Sequence, residues 1–174
     1  EYNDLFFTLA LGRAAAEGHV IPGLPRRIPE LGAPQVADWS DWPLIEEPLT
    51  LLLGGLSRMV GPFPALNIAL ALAHALAAVT MGQVALRGGT APPWAFLAGV
   101  AYGLAPFLFA QSPHHLTVVW AWHVPLFIPA WRWASDPTIR PGDRRFLAAA
   151  AIGAIAGVQN PYYTNVLCQL ALLS

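Results

Sequence analysis

"PALNIALALAHALAAVTMGQVAL", residues 64–86, runs for 23 positions without an Asp, Glu, Lys or Arg. An α-helix rises about 1.5 Å per residue, so roughly 20 residues cross a hydrocarbon core about 30 Å thick. The stretch is long enough and apolar enough to read as a membrane-spanning helix. The rest of the chain agrees: it is 56% hydrophobic and only 11% charged, against roughly 25% charged in an ordinary soluble domain. That leaves too little charge to cover a water-facing surface.

Further apolar runs follow at 94–110, 115–134, 146–158 and 162–174. The third carries Trp120, Trp122, Trp131 and Trp133 near its two ends, as aromatic belts require. The last two are separated by "QNPYYTN", where Pro161 should break the helix. Ahead of them, residues 4–17 suit a helix with Asp4 near its positive end and Gly18 as its stop. Residues 19–43 are punctuated by Pro22, Pro25, Pro29, Pro34 and Pro43 and read as a loop. Leu44 to Val60 carries Glu46, Glu47 and Arg58 and reads as a helix that lies at the interface or leads into the bilayer rather than crossing it. The expected fold is all-α: a polytopic transmembrane bundle over 61–174, with 1–60 as a long extracytoplasmic first loop containing a horizontal interfacial helix. The chain opens on "EYNDLFF" without Met or signal and stops inside an apolar run, so it is expected to be a fragment cut at both ends.

Arginine sets the orientation. All nine basic residues are Arg, and Arg87 follows the first span while Arg132, Arg140, Arg144 and Arg145 cluster after the third. By the positive-inside rule these two loops are cytoplasmic, which puts 1–60, "QSPHH" and "QNPYYTN" together on the outer face. The net charge of −1 offers nothing to nucleic acid. A single Cys168 excludes a disulfide within the chain and a cysteine-based metal site.

The outer N-terminal segment is anionic, and "ADWSDWPLIEEP", 37–48, concentrates four carboxylates and two tryptophans. Asp38 and Asp41, three apart, suit a shared divalent cation, an acid/base pair, or simple turn capping. Trp39 and Trp42 suit an interfacial anchor or a stacking platform for a sugar ring. Asp4 is either a helix cap or an ionisable group at bilayer depth, where such groups are costly enough to be functional candidates. His114 and His115 are adjacent, which is not the i, i+4 spacing of a zinc pair; a loop end or a ligand contact remain open. His74 and His123 are expected to make helix-to-helix hydrogen bonds. Asn160, Tyr162 and Tyr163 offer amide and phenol groups to sugar hydroxyls, or else Asn160 and Asn165 satisfy the backbone freed by the break.

An acidic residue after a first span, a horizontal helix, a long outer loop and then short-looped spans resemble the GT-C glycosyltransferases, which include protein O-mannosyltransferases, aminoarabinose transferases and oligosaccharyltransferases. More closely, "LGAPQVADWSDWP", Asn67, "GLAPFLFAQSPHHLTVVWAWHVPL" and "GVQNPYYTN" look like a group of bacterial polytopic proteins assigned to that superfamily. The resemblance implies a membrane glycosyltransferase of the bacterial inner membrane with an extracytoplasmic site. It would move a sugar from a polyprenyl-phosphate donor to a glycan, lipid or protein hydroxyl. Asp4 matches the first-loop catalytic base, Asp38 and Asp41 the group's acidic pair, and His115 its His-Leu. Many members carry a second acid after the first, where this chain has Leu5, so the distal pair is a rival base. His114, His115, Arg13, Trp39, Trp42, Asn160, Tyr162 and Tyr163 are the expected substrate contacts. No nucleotide or certain cofactor is implied: the leaving phosphate is met by Arg13, Arg26, Arg27 or Arg58, or by Mg or Mn on Asp38 and Asp41. The alternatives are a transporter or flippase for a lipid-linked sugar, and an assembly subunit whose outer loop binds a partner.

Overall fold

The computed structural model describes residues 3–21, 27–29, 34–38, 47–112 and 114–172, with only the backbone of residues 3 and 4. The chain is mostly helical. Its order is α1 (Asn3–Glu17), the short strands β1 (Arg27–Ile28) and β2 (Ala37–Asp38), α2 (Glu47–Val60), α3 (Pro62–Arg87), α4 (Pro92–Gly103), α5 (Pro106–Gln111) and α6 (Leu116–Val119). A 3-10 turn (Val124–Leu126), α7 (Phe127–Ala134), α8 (Arg144–Gly157) and α9 (Pro161–Leu172) complete it.

The helix stops follow from glycine. Gly18 has φ +86°, and the pair Gly18 N–H to Ala15 O at 3.2 Å and His19 N–H to Ala14 O at 2.8 Å closes α1. Gly89, at φ +91°, does the same for α3, with Gly89 N–H on Leu86 O at 3.0 Å and Thr90 N–H on Ala85 O at 3.1 Å. Pro92 then starts α4 at a position whose N–H has no helical acceptor.

α3 and α4 form an antiparallel hairpin held by small residues. A Cβ on Gly99 would lie 2.5 Å from the Ala78 carbonyl oxygen, and one on Gly103 would lie 2.7 Å from the His74 oxygen. Glycines four apart therefore let two backbones meet, as at close helix contacts in membranes. His74 spans the same seam: its Nδ1 is 2.6 Å from Gly103 O and its Nε2 3.3 Å from Ser112 Oγ. The expected helix-to-helix role of His74 is what the structure shows.

α1 and α2 pack on each other and on the first half of α3. Leu49 and Leu53 of α2 join Leu66, Ala69 and Ala73 of α3 in one buried cluster with Leu116, Val119 and Trp120. Leu5 and Leu9 of α1 pack against it. Arg87 ends α3 about 30 Å from Leu66 at 1.5 Å per residue, so this N-terminal hairpin packs at the end of α3 away from Arg87. Gly54 marks the tightest contact, where a Cβ would meet the Ala15 Cβ at 2.6 Å.

Pro62–Arg87 and Pro92–Gln111 are long and apolar enough to cross a membrane, and only 17% and 22% of their most apolar windows are buried within the protein. The core helix of a soluble domain would bury most of that surface. The second stretch is not straight: it steps at Leu104 and Ala105, because Pro106 cannot donate to the Tyr102 carbonyl, which takes the Ala105 N–H at 3.1 Å instead.

One expectation is corrected. Residues 115–134 do not form a single span; they break into α6, a non-helical turn at Trp120–His123, the 3-10 turn and α7. Pro125 has no N–H for the Ala121 carbonyl, and its ring clashes with a continuing helix. After the Asp136 loop, where the side-chain oxygen accepts from the Thr138 hydroxyl at 2.6 Å and N–H at 2.9 Å, the arginines Arg144 and Arg145 open α8. Those two hydrogen bonds hold the Asp136 carboxyl below its usual range. α7 and α8 pack through Phe127, Ala130, Ile152 and Ala156, joined by Tyr163, Leu167 and Leu170 of α9. α8 and α9, at 14 and 12 residues, reach about 21 and 18 Å, less than a hydrocarbon core.

Gly99→Leu or Gly103→Leu should force α3 and α4 apart at a cost of about 1–3 kcal/mol or more, lowering the unfolding midpoint in detergent. Gly153→Ala, where a Cβ meets nothing within 4 Å, should leave the midpoint unchanged or raise it.

Candidate functional site

The two breaks bring three chain segments to one cavity. α5 stops at Gln111, and the His115 N–H returns to the Gln111 carbonyl at 2.8 Å to close the loop. α6 is a single turn whose Leu116 and Val119 are buried against α2 and α3, which leaves His115, Thr117 and Val118 for the other side. At the second break, the Asn160 Oδ1 accepts the Tyr162 N–H at 3.0 Å and caps α9, with Pro161 at the start of the helix. The Thr164 hydroxyl takes the Ala156 carbonyl across the same break. Thr164, rather than the expected Asn165, shares that task with Asn160.

Tyrosines satisfy the backbone opened by the first break. The Tyr163 hydroxyl donates to Val118 O, whose helical partner would have been the Trp122 N–H. The Tyr102 hydroxyl donates to Ala121 O at 2.9 Å, beside the Val124 N–H at 3.2 Å. Buried carbonyls released from a helix need such donors wherever water is absent.

The resulting cavity has a volume of about 470 Å³ and is lined by Phe107, Gln111, His115, Thr117, Val118, Asn160, Tyr162 and Tyr163. That size falls within the range of small-molecule sites. Its lining residues combine aromatic rings with amide, hydroxyl and imidazole groups. Such a lining can stack on one face of a polyol and hydrogen-bond its edge.

Of the sequence candidates, His115, Asn160, Tyr162 and Tyr163 meet here, from two loops 45 residues apart that the orientation argument had placed on one face. His114 is half-buried and does not line the cavity. Arg13 lies on the exposed face of α1, its Nε donating to Glu17 Oε1 at 2.9 Å, and also stands apart from the cavity. Asp38 is exposed on β2, paired in register with Arg27 of β1 and away from the cavity wall. Asp4 is in the first turn of α1, its side chain outside the description; the next residue, Leu5, packs in the cluster that holds Leu116. Trp39, Asp41, Trp42 and Arg26 lie outside the described residues, and so does the pairing of Asp38 with Asp41 that would hold Mg or Mn. Among the described residues no group of three His, Cys, Asp or Glu is arranged to hold a metal ion.

Sequence reasoning missed Phe107, Gln111, Thr117 and Val118 as lining residues. Gln111 opens the outer loop "QSPHH" and Thr117 lies two residues beyond it, and their role depends on the helix ending at Val119, which hydropathy does not reveal. It also missed Tyr102, whose hydroxyl looks like one more amphipathic tip in an apolar run. His123 was expected to bond between helices; instead it is fully buried, and the backbone group that faces its ring is the Trp120 carbonyl, three residues back in the same broken segment.

No protein-family profile, curated protein or solved structure matches this chain.

Tyr163→Phe removes the donor from the Val118 carbonyl and should destabilise the fold by about 1–3 kcal/mol, read as a lower unfolding midpoint. Tyr162→Phe, on a residue 74% exposed, should change it by no more than about 0.5 kcal/mol.

Proposed function

We propose that the protein is an integral membrane glycosyltransferase of the bacterial inner membrane, whose extracytoplasmic cavity takes the sugar of a polyprenyl-phosphate donor. The observation that carries this reading is the cavity's lining. Amide, hydroxyl, imidazole and ring groups converge at the end of helices whose outer surfaces are apolar, on the side where the anionic N-terminal hairpin packs. A lipid-linked sugar needs that combination: a polar pocket for the head and an apolar helix surface for the tail.

In this reading Gln111, Thr117, Asn160 and Tyr162 hydrogen-bond sugar hydroxyls, and Phe107 or Tyr163 offers a ring face. A carboxylate of the N-terminal third, Asp4 or the pair Asp38 and Asp41, removes the proton from an acceptor hydroxyl. The acceptor oxygen then bonds to the anomeric carbon with inversion, while the bond to the phosphate oxygen breaks and its electron pair leaves on the lipid phosphate. An outer arginine such as Arg26, Arg27 or Arg58 offsets that charge; were a divalent metal present, Asp38 and Asp41 would hold it and it would supply the same neutralisation. The acceptor is a glycan, a lipid or a protein.

A second reading is favoured by one observation. The chain is unwound at Trp120–His123 and again before Pro161, and paired helix breaks at a polar site also suit a transporter or flippase for the same lipid-linked sugar.

Transfer from a panel of polyprenyl-phosphate sugars by the purified protein in lipid separates the two. Asp4→Asn, or Asp38→Asn with Asp41→Asn, should lower turnover by about 10²-fold or more. If neither does, the carboxylate assignment is wrong; if no donor is consumed but labelled donor crosses the bilayer, the transporter reading takes its place.

Orientation has its own check. In a Cys168→Ser background, Gln35→Cys should react with an impermeant maleimide on intact spheroplasts and Gly142→Cys only after permeabilisation. The reverse pattern would overturn the extracytoplasmic placement.

A further inference from the structure

Asn160 is 5% exposed, lines the cavity and caps α9. Its Oδ1 accepts the Tyr162 N–H at 3.0 Å, which fixes the carboxamide, because turning it over would set donor against donor. The Nδ2 makes no hydrogen bond among the described residues, and unlike the neighbouring Gln159 Oε1 it is not sealed from solvent. Asn160 therefore shows the cavity a donor whose direction the cap sets and whose acceptor oxygen is already engaged.

The same cap closes the place where an anion would bind. The first N–H groups of a helix ordinarily receive phosphates and carboxylates. In α9, Pro161 has no N–H, the Tyr162 N–H is on Asn160 Oδ1, and the Tyr163 and Thr164 N–H groups turn to the Asn160 backbone oxygen at 3.1 and 3.3 Å. Among the described residues no Arg lines the cavity, and His115 is the one side chain there able to carry a positive charge. A fixed donor in a wall that provides so little for an anion suits a neutral carbonyl. The rest of the lining fits what an amide carbonyl brings with it: Gln111 and Thr117 hold acceptors for an amide N–H, and Phe107 and Val118 offer apolar surface to a methyl group.

We propose that the sugar taken by the cavity is an N-acetylated amino sugar, and that the Asn160 Nδ2 donates to its acetamido carbonyl. A hydroxyl also accepts, but it brings a proton that needs a second partner, whereas the acetamido oxygen accepts only. Asn160 already lines the cavity, so it keeps its cap when the ligand is bound and no wall contact has to open. This assignment rests on the sugar-binding reading above and names the class of sugar.

The test measures thermal stabilisation of the purified protein by short-chain polyprenyl phosphates carrying glucose or galactose, the same two sugars with a 2-acetamido group, or no sugar. Wild type should bind each acetamido form about tenfold more tightly than its parent hexose. Asn160→Asp keeps an oxygen to cap α9 and replaces the NH2 group by a second oxygen; Asn160→Ser also caps and withdraws the donor from the cavity. Both should unfold near the wild-type midpoint, still bind the parent hexoses and lose the acetamido preference. Equal binding of acetamido and parent sugars by wild type overturns the assignment, and it does so whether or not the variants fold. So does an acetamido preference that persists in Asn160→Asp and Asn160→Ser. If no glycosylated lipid stabilises wild type more than bare polyprenyl phosphate does, the sugar-binding reading itself falls, an outcome distinct from the other two.

Discussion

Two tyrosine hydroxyls on two backbone carbonyls decide the shape of the site. Where helix stops at Val119, the carbonyls of Val118 and Ala121 lose their helical donors inside an apolar bundle, and Tyr163 and Tyr102 supply replacements. Without Tyr163 the Val118 carbonyl would lose its donor among the described residues, whereas the Ala121 carbonyl would keep the Val124 N–H at 3.2 Å; a straight helix through 115–134 is barred by Pro125 in either case. That straight helix would close the space between α5, α6 and α9, which is the cavity. The same Tyr163 hydroxyl ties α9 to α6, so one contact sets both the opening and its far wall.

The frame around this break is rigid for a different reason. The α3–α4 hairpin gains little from hydrophobic burial, because most of its apolar surface faces outward. It relies on close backbone approach at Gly99 and Gly103, where dispersion contacts are dense and His74 bridges the two helices. An apolar exterior with a small-residue seam suits lipid surroundings, in which association is driven by packing. The N-terminal hairpin then clamps α6 from the opposite side through Leu49, Leu53, Leu66 and Leu116.

For the proposed chemistry these two features divide the labour. The exposed apolar faces of α3 and α4 offer a path for a lipid tail, and the broken segments offer polar groups at its end.

The sequence by itself determined α3 and two of the helix stops. Uncharged length set α3 at Pro62–Arg87 against an expected 64–86, and Gly18 and Gly89 stop helices because only glycine tolerates their positive φ. It also expected His115, Asn160, Tyr162 and Tyr163 on one face, and they do meet at one cavity, although the count of alternating spans behind that expectation took 115–134 as a span, which it is not. Only the tertiary structure decided that residues 115–134 break, because hydropathy is indifferent to whether an apolar run is helical. Pro125 permits the break, but it takes hydroxyls from Tyr102 and Tyr163, 19 and 45 residues from the carbonyls they reach, to make it stable. Donors so distant in sequence leave no periodic trace, so the cavity became visible only once the helices had packed.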